Sequence, residues 1–234
     1  MGDPSVTPAR ASARYEVKLG CAPERMPEVR AWIGMHPALF CTSYPPRQVN
    51  NIYLDSLDAH DLDAHLSGVG QRQKLRFRWY GEDRSDVRGM LEIKCRSGHL
   101  GWKEQYALAR SFDLTHLTWQ AWMAEVRALA EGPALAWLAS VERPTLINAY
   151  RREYFEAAEG DVRLTIDHPM QVYDQIGYAS PNVSFPVPVA PQLIVEIKAG
   201  LAAWRRLPEI LAHFPLRAVR NSKYVSGMSS ILAI

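Results

Sequence analysis

Cysteine is scarce in this chain: Cys21, Cys41 and Cys95 are the only three in 234 residues. Their number is odd and their spacing suits no metal, which points away from a disulfide framework and from a zinc site. The expected compartment is a reducing cytoplasm. No run approaches the roughly twenty apolar residues of a membrane span, although a membrane-bound partner stays open. Residues Met1 to Ser12 are rich in Pro, Ala and Ser and lack the apolar stretch of a signal peptide. They are expected to form a disordered leader ahead of one domain over 13–234.

Familiar catalytic signatures are missing as well. There is no glycine-rich phosphate loop of the Walker or dinucleotide type. The seven histidines, His36, His60, His65, His99, His116, His168 and His213, show no metal-binding spacing, and no Ser-His-Asp or Cys-His arrangement can be argued. Net charge is only +2, so no whole-molecule field gathers nucleic acid. The helical and loop segments carry no basic stripe, and nucleic acid is not an expected partner. No repeat or long linker divides the chain, and 47% apolar residues suffice for one large core.

What the sequence does have is alternation. Arg14-Tyr-Glu-Val-Lys18, Lys74-Leu-Arg-Phe-Arg-Trp79, Glu92-Ile-Lys94 and Val195-Glu-Ile-Lys198 switch between charged and apolar residues. A strand points successive side chains to opposite faces. Lys74, Arg76 and Arg78 therefore share one face, with Leu75, Phe77 and Trp79 on the other. Strand character is also expected at Val49–Asp55, Lys103–Ala109, Thr145–Ala157 and Val162–Asp167. Helical spacing is expected over Pro23–His36, Leu57–Leu66, Leu117–Leu138 (broken at Gly132-Pro133) and Trp204–Phe214. A Pro-rich loop spans Ser180–Pro191, and a short end follows Asn221.

Solvated faces with cross-strand ion pairs would explain any one such strand. Several strands of one parity favour a barrel in an α+β fold, with apolar faces out beneath helices and charged faces in. Its lining would set Lys18, Lys74, Arg76, Arg78, Lys94, Arg96, Arg163 and Lys198 against Glu16, Glu92, Asp167 and Glu196. That cation excess calls for counter-anions, and arginine forks with lysine point charges suit phosphate oxygens. Carboxylates beside phosphates call for a divalent cation, Mg²⁺ or Mn²⁺, with Glu196 the favoured ligand and Glu92 and Glu16 behind it.

In order along the chain, Arg14–Lys18, Asn51-Ile-Tyr-Leu-Asp55, Lys74–Gly81, Leu91–Lys94 and Lys103 form a recognisable series. It continues with Tyr150-Arg-Arg152, Val162–Asp167, Val195–Lys198 and Ser222-Lys-Tyr224. The series resembles the triphosphate tunnel metalloenzyme (CYTH-like) superfamily and, within it, the vacuolar transporter chaperone (VTC)-type polyphosphate polymerase domain. The resemblance implies a closed antiparallel eight-stranded barrel holding a triphosphate with a divalent metal. It assigns phosphate contacts to Lys18, Arg76, Arg78, Lys94, Lys103, Arg152 and Lys223, hydroxyl contacts to Tyr150 and Ser222, and the metal to Glu196. It also selects Arg152 over Arg151, which the alternation leaves open.

The expected reaction is phosphoryl transfer from ATP to a growing inorganic polyphosphate chain. Arg76, Arg78, Lys94 and Arg152 would act on the transferred group. Lys18, Lys74, Lys103, Tyr150, Arg163, Lys198, Ser222 and Lys223 would hold substrate. Tunnel hydrolases often open with Glu-x-Glu-x-Lys, and here Arg14 takes the first position. The alternatives are a tunnel triphosphatase and a non-catalytic polyphosphate-binding module.

Overall fold

The computed structural model describes residues 14–98 and 100–233, so the expected leader lies outside the described residues. Apolar residues at every second position give long strands. In chain order these are β1 (Arg14–Cys21), β2 (Cys41–Asp55), β3 (Gln71–Tyr80), β4 (Val87–Ser97), β5 (Leu100–Phe112), β6 (Arg143–Glu156), β7 (Val162–Asp174), β8 (Leu193–Gly200) and the short β9 (Arg217–Ala218). Helices α1 (Met26–Gly34), α2 (His60–Leu66), α3 (Trp119–Leu129), α4 (Pro133–Ala139), α5 (Leu207–Ala212) and α6 (Lys223–Leu232) lie between and after them.

All strand pairings are antiparallel. The order β5-β4-β3-β2-β6-β7-β8-β1-β9 returns on itself through an additional β5–β1 pairing. Eight strands thus form a ring, with β9 added on the far edge of β1. Among the described residues the ring is closed at one pair, Arg14 opposite Gly101. By contrast, β1 pairs with β8 over its whole length, from Arg14–Gly200 to Cys21–Leu193.

The alternation sorts as expected. Leu75, Phe77 and Trp79 join Leu91, Ile93, Trp122 and Val126 in a core between the strands' outer faces and α3 and α4. Burying such side chains is worth roughly 1.5–3 kcal/mol each. On the other flank Leu164, Val195 and Ile197 pack beneath Val29 and Ile33 of α1 and Ile210 of α5. Gly132, at φ +52, separates α3 from α4 at the expected Gly-Pro break.

The short end after Asn221 is a helix, α6, capped by Ser222 accepting from the Val225 amide. Its Tyr224 and Met228 seat on Tyr53 and Leu146, which lie on the same strand faces as the inward-pointing Asn51 and Asn148. Tyr224 donates to Asp55 Oδ2 at 2.5 Å, and its ring stacks on Tyr53 with centroids 5.0 Å apart. Thus α6 closes over one end of the barrel and delivers Ser222 and Lys223 to the lumen.

Candidate functional site: a cation-lined tunnel

The lumen holds two clusters of interlocked charge. The first centres on Glu92 of β4, directly across from Arg76 of β3. Its Oε2 takes Arg76 Nη2 at 2.6 Å and Arg78 Nη1 at 3.4 Å. Its Oε1 takes Lys103 Nζ at 3.1 Å and Gln105 Nε2 at 2.6 Å. Arg78 Nε also donates to Asn51 Oδ1 at 2.8 Å, and Asn51 in turn donates to Asn148 Oδ1 at 2.7 Å. Burial pushes the Glu92 carboxyl up, but Arg76, Arg78 and Lys103 outweigh it and hold the group well below the usual carboxylate range.

The second cluster centres on Asp167 and Glu196. Arg152 Nε and Nη2 grip the two oxygens of Asp167 at 2.5 and 2.6 Å, and Lys223 Nζ meets Asp167 Oδ2 at 2.5 Å. Glu196 collects Lys198 at 2.6 Å, Arg152 at 3.3 Å, Lys18 at 3.4 Å and Lys223 at 3.6 Å. Despite burial, these cations depress both carboxyls. Glu16 lies beside Glu196, sharing Lys18 with it at 3.3 Å and reaching Lys94 at 3.1 Å. Tyr150, fully buried, receives Arg78 Nη2 at 3.4 Å and has the Lys223 ammonium over its ring at 4.7 Å. Its hydroxyl is lowered because Arg152 and Arg78 overcome burial.

Much of the expected counter-charge is therefore supplied within the chain, yet it falls short. Nine basic side chains (Lys18, Lys74, Arg76, Arg78, Lys94, Lys103, Arg152, Lys198, Lys223) face four carboxylates (Glu16, Glu92, Asp167, Glu196). Lys74 is the extreme case. Among the described residues its Nζ reaches only the Ser222 hydroxyl, at 2.9 Å. Burial, then Lys94, Lys18 and Arg76, push its pKa well below the ordinary lysine value. Lys94 is pushed down to about 8, by burial first, against the pull of Glu16.

Of the expected lining residues, Arg96 and Arg163 stand apart: Arg96 is exposed at the end of β4, its Nε donating to the Gly98 carbonyl at 2.9 Å. Arg163 lies at the rim of β7, exposed and paired with Glu156 at 3.0 Å. Arg152 is buried in the lumen while Arg151 is exposed. Asp167 is a principal anchor to which the motifs assign no contact, and Asn51, Asn148, Tyr53 and Gln105 complete the lining. The alternation of Asn51, Tyr53 and Asp55 with Ile52 and Leu54 was the available signal. An open cleft of about 430 Å³ between α2 and β3–β4, lined by Asp61, Cys95 and Trp102, lies on the outer side and belongs to no part of this lumen.

A divalent cation needs hard oxygen donors, and among the described residues no group of three acidic, His or Cys side chains converges. Glu92 has both oxygens occupied. Glu16 and Glu196 are likewise engaged by cations but lie side by side through the lysine they share, and the buried Thr165 hydroxyl, opposite Glu196 in register, has no hydrogen-bond partner among the described residues. Two carboxylates and a hydroxyl suit a Mg²⁺ or Mn²⁺ ion that takes its remaining ligands from substrate phosphates and water.

An antiparallel ring with helices outside and a basic, carboxylate-studded lumen defines a protein of the triphosphate tunnel class. Solved structures agree on the fold. A candidate adenylyl cyclase from Hippeastrum, reported with a dominant triphosphatase activity, superposes with a TM-score of 0.54 at 13% identity, over 93% of this chain and 95% of that one. A candidate adenylate cyclase from Vibrio parahaemolyticus gives 0.52 at 11% identity, over 94% and 99%. The family model of the VTC domain matches residues 13–232, and the chain belongs to that family. Comparison with curated proteins found no match.

Proposed function

We propose that this tunnel is an enzyme site that transfers the terminal phosphoryl group of a nucleoside triphosphate, such as ATP, to the end of an inorganic polyphosphate chain. The observation that carries the reading is the cation surplus, sharpest at half-buried Lys74, which has no carboxylate partner among the described residues. An extended polyanion relieves that repulsion along the whole lining. Arg76, Arg78, Lys94 and Lys103 on one wall and Arg152, Lys18 and Lys223 on the other would hold the phosphates. Tyr150 and Ser222 would add hydroxyl contacts.

The acceptor is a phosphate oxygen that is already anionic, so no protein nucleophile or base is required. The bond from the γ-phosphorus to the β,γ-bridging oxygen breaks, a bond from the same phosphorus to the acceptor oxygen forms, and a nucleoside diphosphate leaves. The arginines and lysines align the two phosphates and balance charge in a loose transition state. Glu196 and Glu16 are the proposed ligands of a divalent ion, which would supply further charge neutralisation on the triphosphate.

Membership of the VTC domain family supports the polyphosphate acceptor, as does Arg14 in place of a carboxylate on β1. Water as acceptor is the second reading, favoured by the triphosphatase activity reported for the Hippeastrum protein. Pure protein incubated with ATP and Mn²⁺ or Mg²⁺ separates them. We expect chains of phosphate as main product, with no lag when short polyphosphate is added. Stoichiometric orthophosphate without chains would establish the hydrolase. Tight polyphosphate binding without turnover would leave a receptor.

A further inference from the structure

At the β3 end marked by Tyr80 the lining changes character. Along its inward face β3 reads Arg72, Lys74, Arg76, Arg78 and then Tyr80. Arg47 of β2 stands opposite Arg152 in register, and Tyr154 follows Arg152 by two residues on β6. The Arg47 guanidinium sits 4.7 Å from the centroid of Tyr80, 4.8 Å from Tyr154 and 5.3 Å from Tyr44. No carboxylate pairs with Arg47 among the described residues. Tyr44 is 57% and Tyr80 42% exposed. Arg47 packs on these rings, and Tyr44 and Tyr80 stay open to water on their remaining surface, with Tyr154 half-buried behind them.

At the other end of β3, Arg72 lies directly across from Arg96 of β4. Burial first, then Arg96 and Arg220, depress the Arg72 pKa. The two ends of one strand thus present unlike chemistry: a cluster of arginines at one, rings around a planar cation at the other.

We propose that Tyr80 and Tyr154, with Arg47, form the platform on which the base of the nucleoside triphosphate stacks. The inference rests on the triphosphate reading of the lumen and adds to it the end at which the nucleotide sits. Every base has a flat π-face, and aromatic rings and guanidinium planes accept such a face with little regard to sequence. Tyr154 lies two residues beyond Arg152, a rise of roughly 7 Å. That is the scale of the ribose that separates phosphate from base. The opposite end of β3, where Lys74 meets Ser222 at the start of α6, is the end that this helix covers.

The test compares ATP with inorganic triphosphate, which has the phosphates and lacks the base, by calorimetric titration without metal. Tyr80→Ala and Tyr154→Ala are each expected to weaken ATP on the order of ten-fold and to leave inorganic triphosphate within about two-fold. Tyr80→Phe and Tyr154→Phe keep the rings and are expected to keep ATP affinity. Equal losses for both ligands, or unchanged ATP binding in both alanine variants, would overturn the platform. Native protein that binds inorganic triphosphate and not ATP overturns it while leaving the tunnel reading intact. Native protein that binds neither overturns both.

Discussion

Among single residues, Glu196 has the most to lose. It balances four cations, and it is also the proposed metal ligand. Glu196→Gln keeps the shape and removes the charge. We expect turnover to fall on the order of 10²-fold, while metal-free triphosphate binding tightens because one repulsive charge is gone. Stability should drop by about 3 kcal/mol, the scale of breaking a buried ion pair, and triphosphate should restore much of it. Near-normal turnover would assign Glu196 to the ion-pair network alone. Lys94 sets a pH dependence. With its pKa pushed down to about 8 from 10.5, it is charged at pH 7 and mostly neutral at pH 9. Triphosphate affinity should therefore decline across that interval, and binding near pH 8 should take up protons. For the ligand-free protein the sign is opposite. The unfolded chain holds this proton more tightly, so Lys94 contributes rising stability from about pH 8 towards its ordinary value. Titrations in two buffers of different ionisation enthalpy would expose the proton uptake, and an affinity flat from pH 7 to 9 counts against it.

At the scale of elements, the strands were legible because alternation is a local property. The two faces of β3 follow from the residue order of Lys74 to Trp79 alone. The strand ends were less so: β2 begins at Cys41, well before Val49, because its first residues form an exposed extension with little apolar content. The role of α6 was hidden for a different reason. Nothing local in Ser222-Lys-Tyr reveals that Asp55, far upstream, will bind Tyr224 and so aim Lys223 inward. Asp167 reads in the sequence as one lining carboxylate of four, and its weight as an anchor comes from Arg152 and Lys223, which the assembled ring brings to it. Gly89 is a test of strand packing. It sits at a bulge in β4, where a Cβ would lie 2.4 Å from the Arg78 carbonyl oxygen and 2.6 Å from Phe77 Cζ. Gly89→Ala should cost about 3 kcal/mol, because the contact is with backbone and with a ring already held by Trp122. A denaturation midpoint equal to that of the native protein would show that the bulge can yield.

For the whole molecule, no helix among the described residues is long and apolar enough to cross a membrane. Its cohesion comes from two outer cores, and its lumen from charges that partly cancel. Among the described residues the ring itself is joined at one pair, Arg14 and Gly101. It is in effect a split collar whose lips touch at one corner. Among the described residues no second β1–β5 pair follows that corner; β1 pairs there with β9 at Leu19 and Gly20, and a side-chain bridge, Lys94 to Glu16, reaches from β4 to β1. Local opening should start there, where the fewest bonds must part. Amide exchange at Gly101 and Arg14 should outpace that of β2 and β6, which pair along most of their length. A triphosphate held by Lys94 and Lys103 on one lip and Lys18 on the other would act as a clasp, slowing exchange at the seam more than elsewhere. Uniform slowing over the molecule would mean that the collar breathes as one piece.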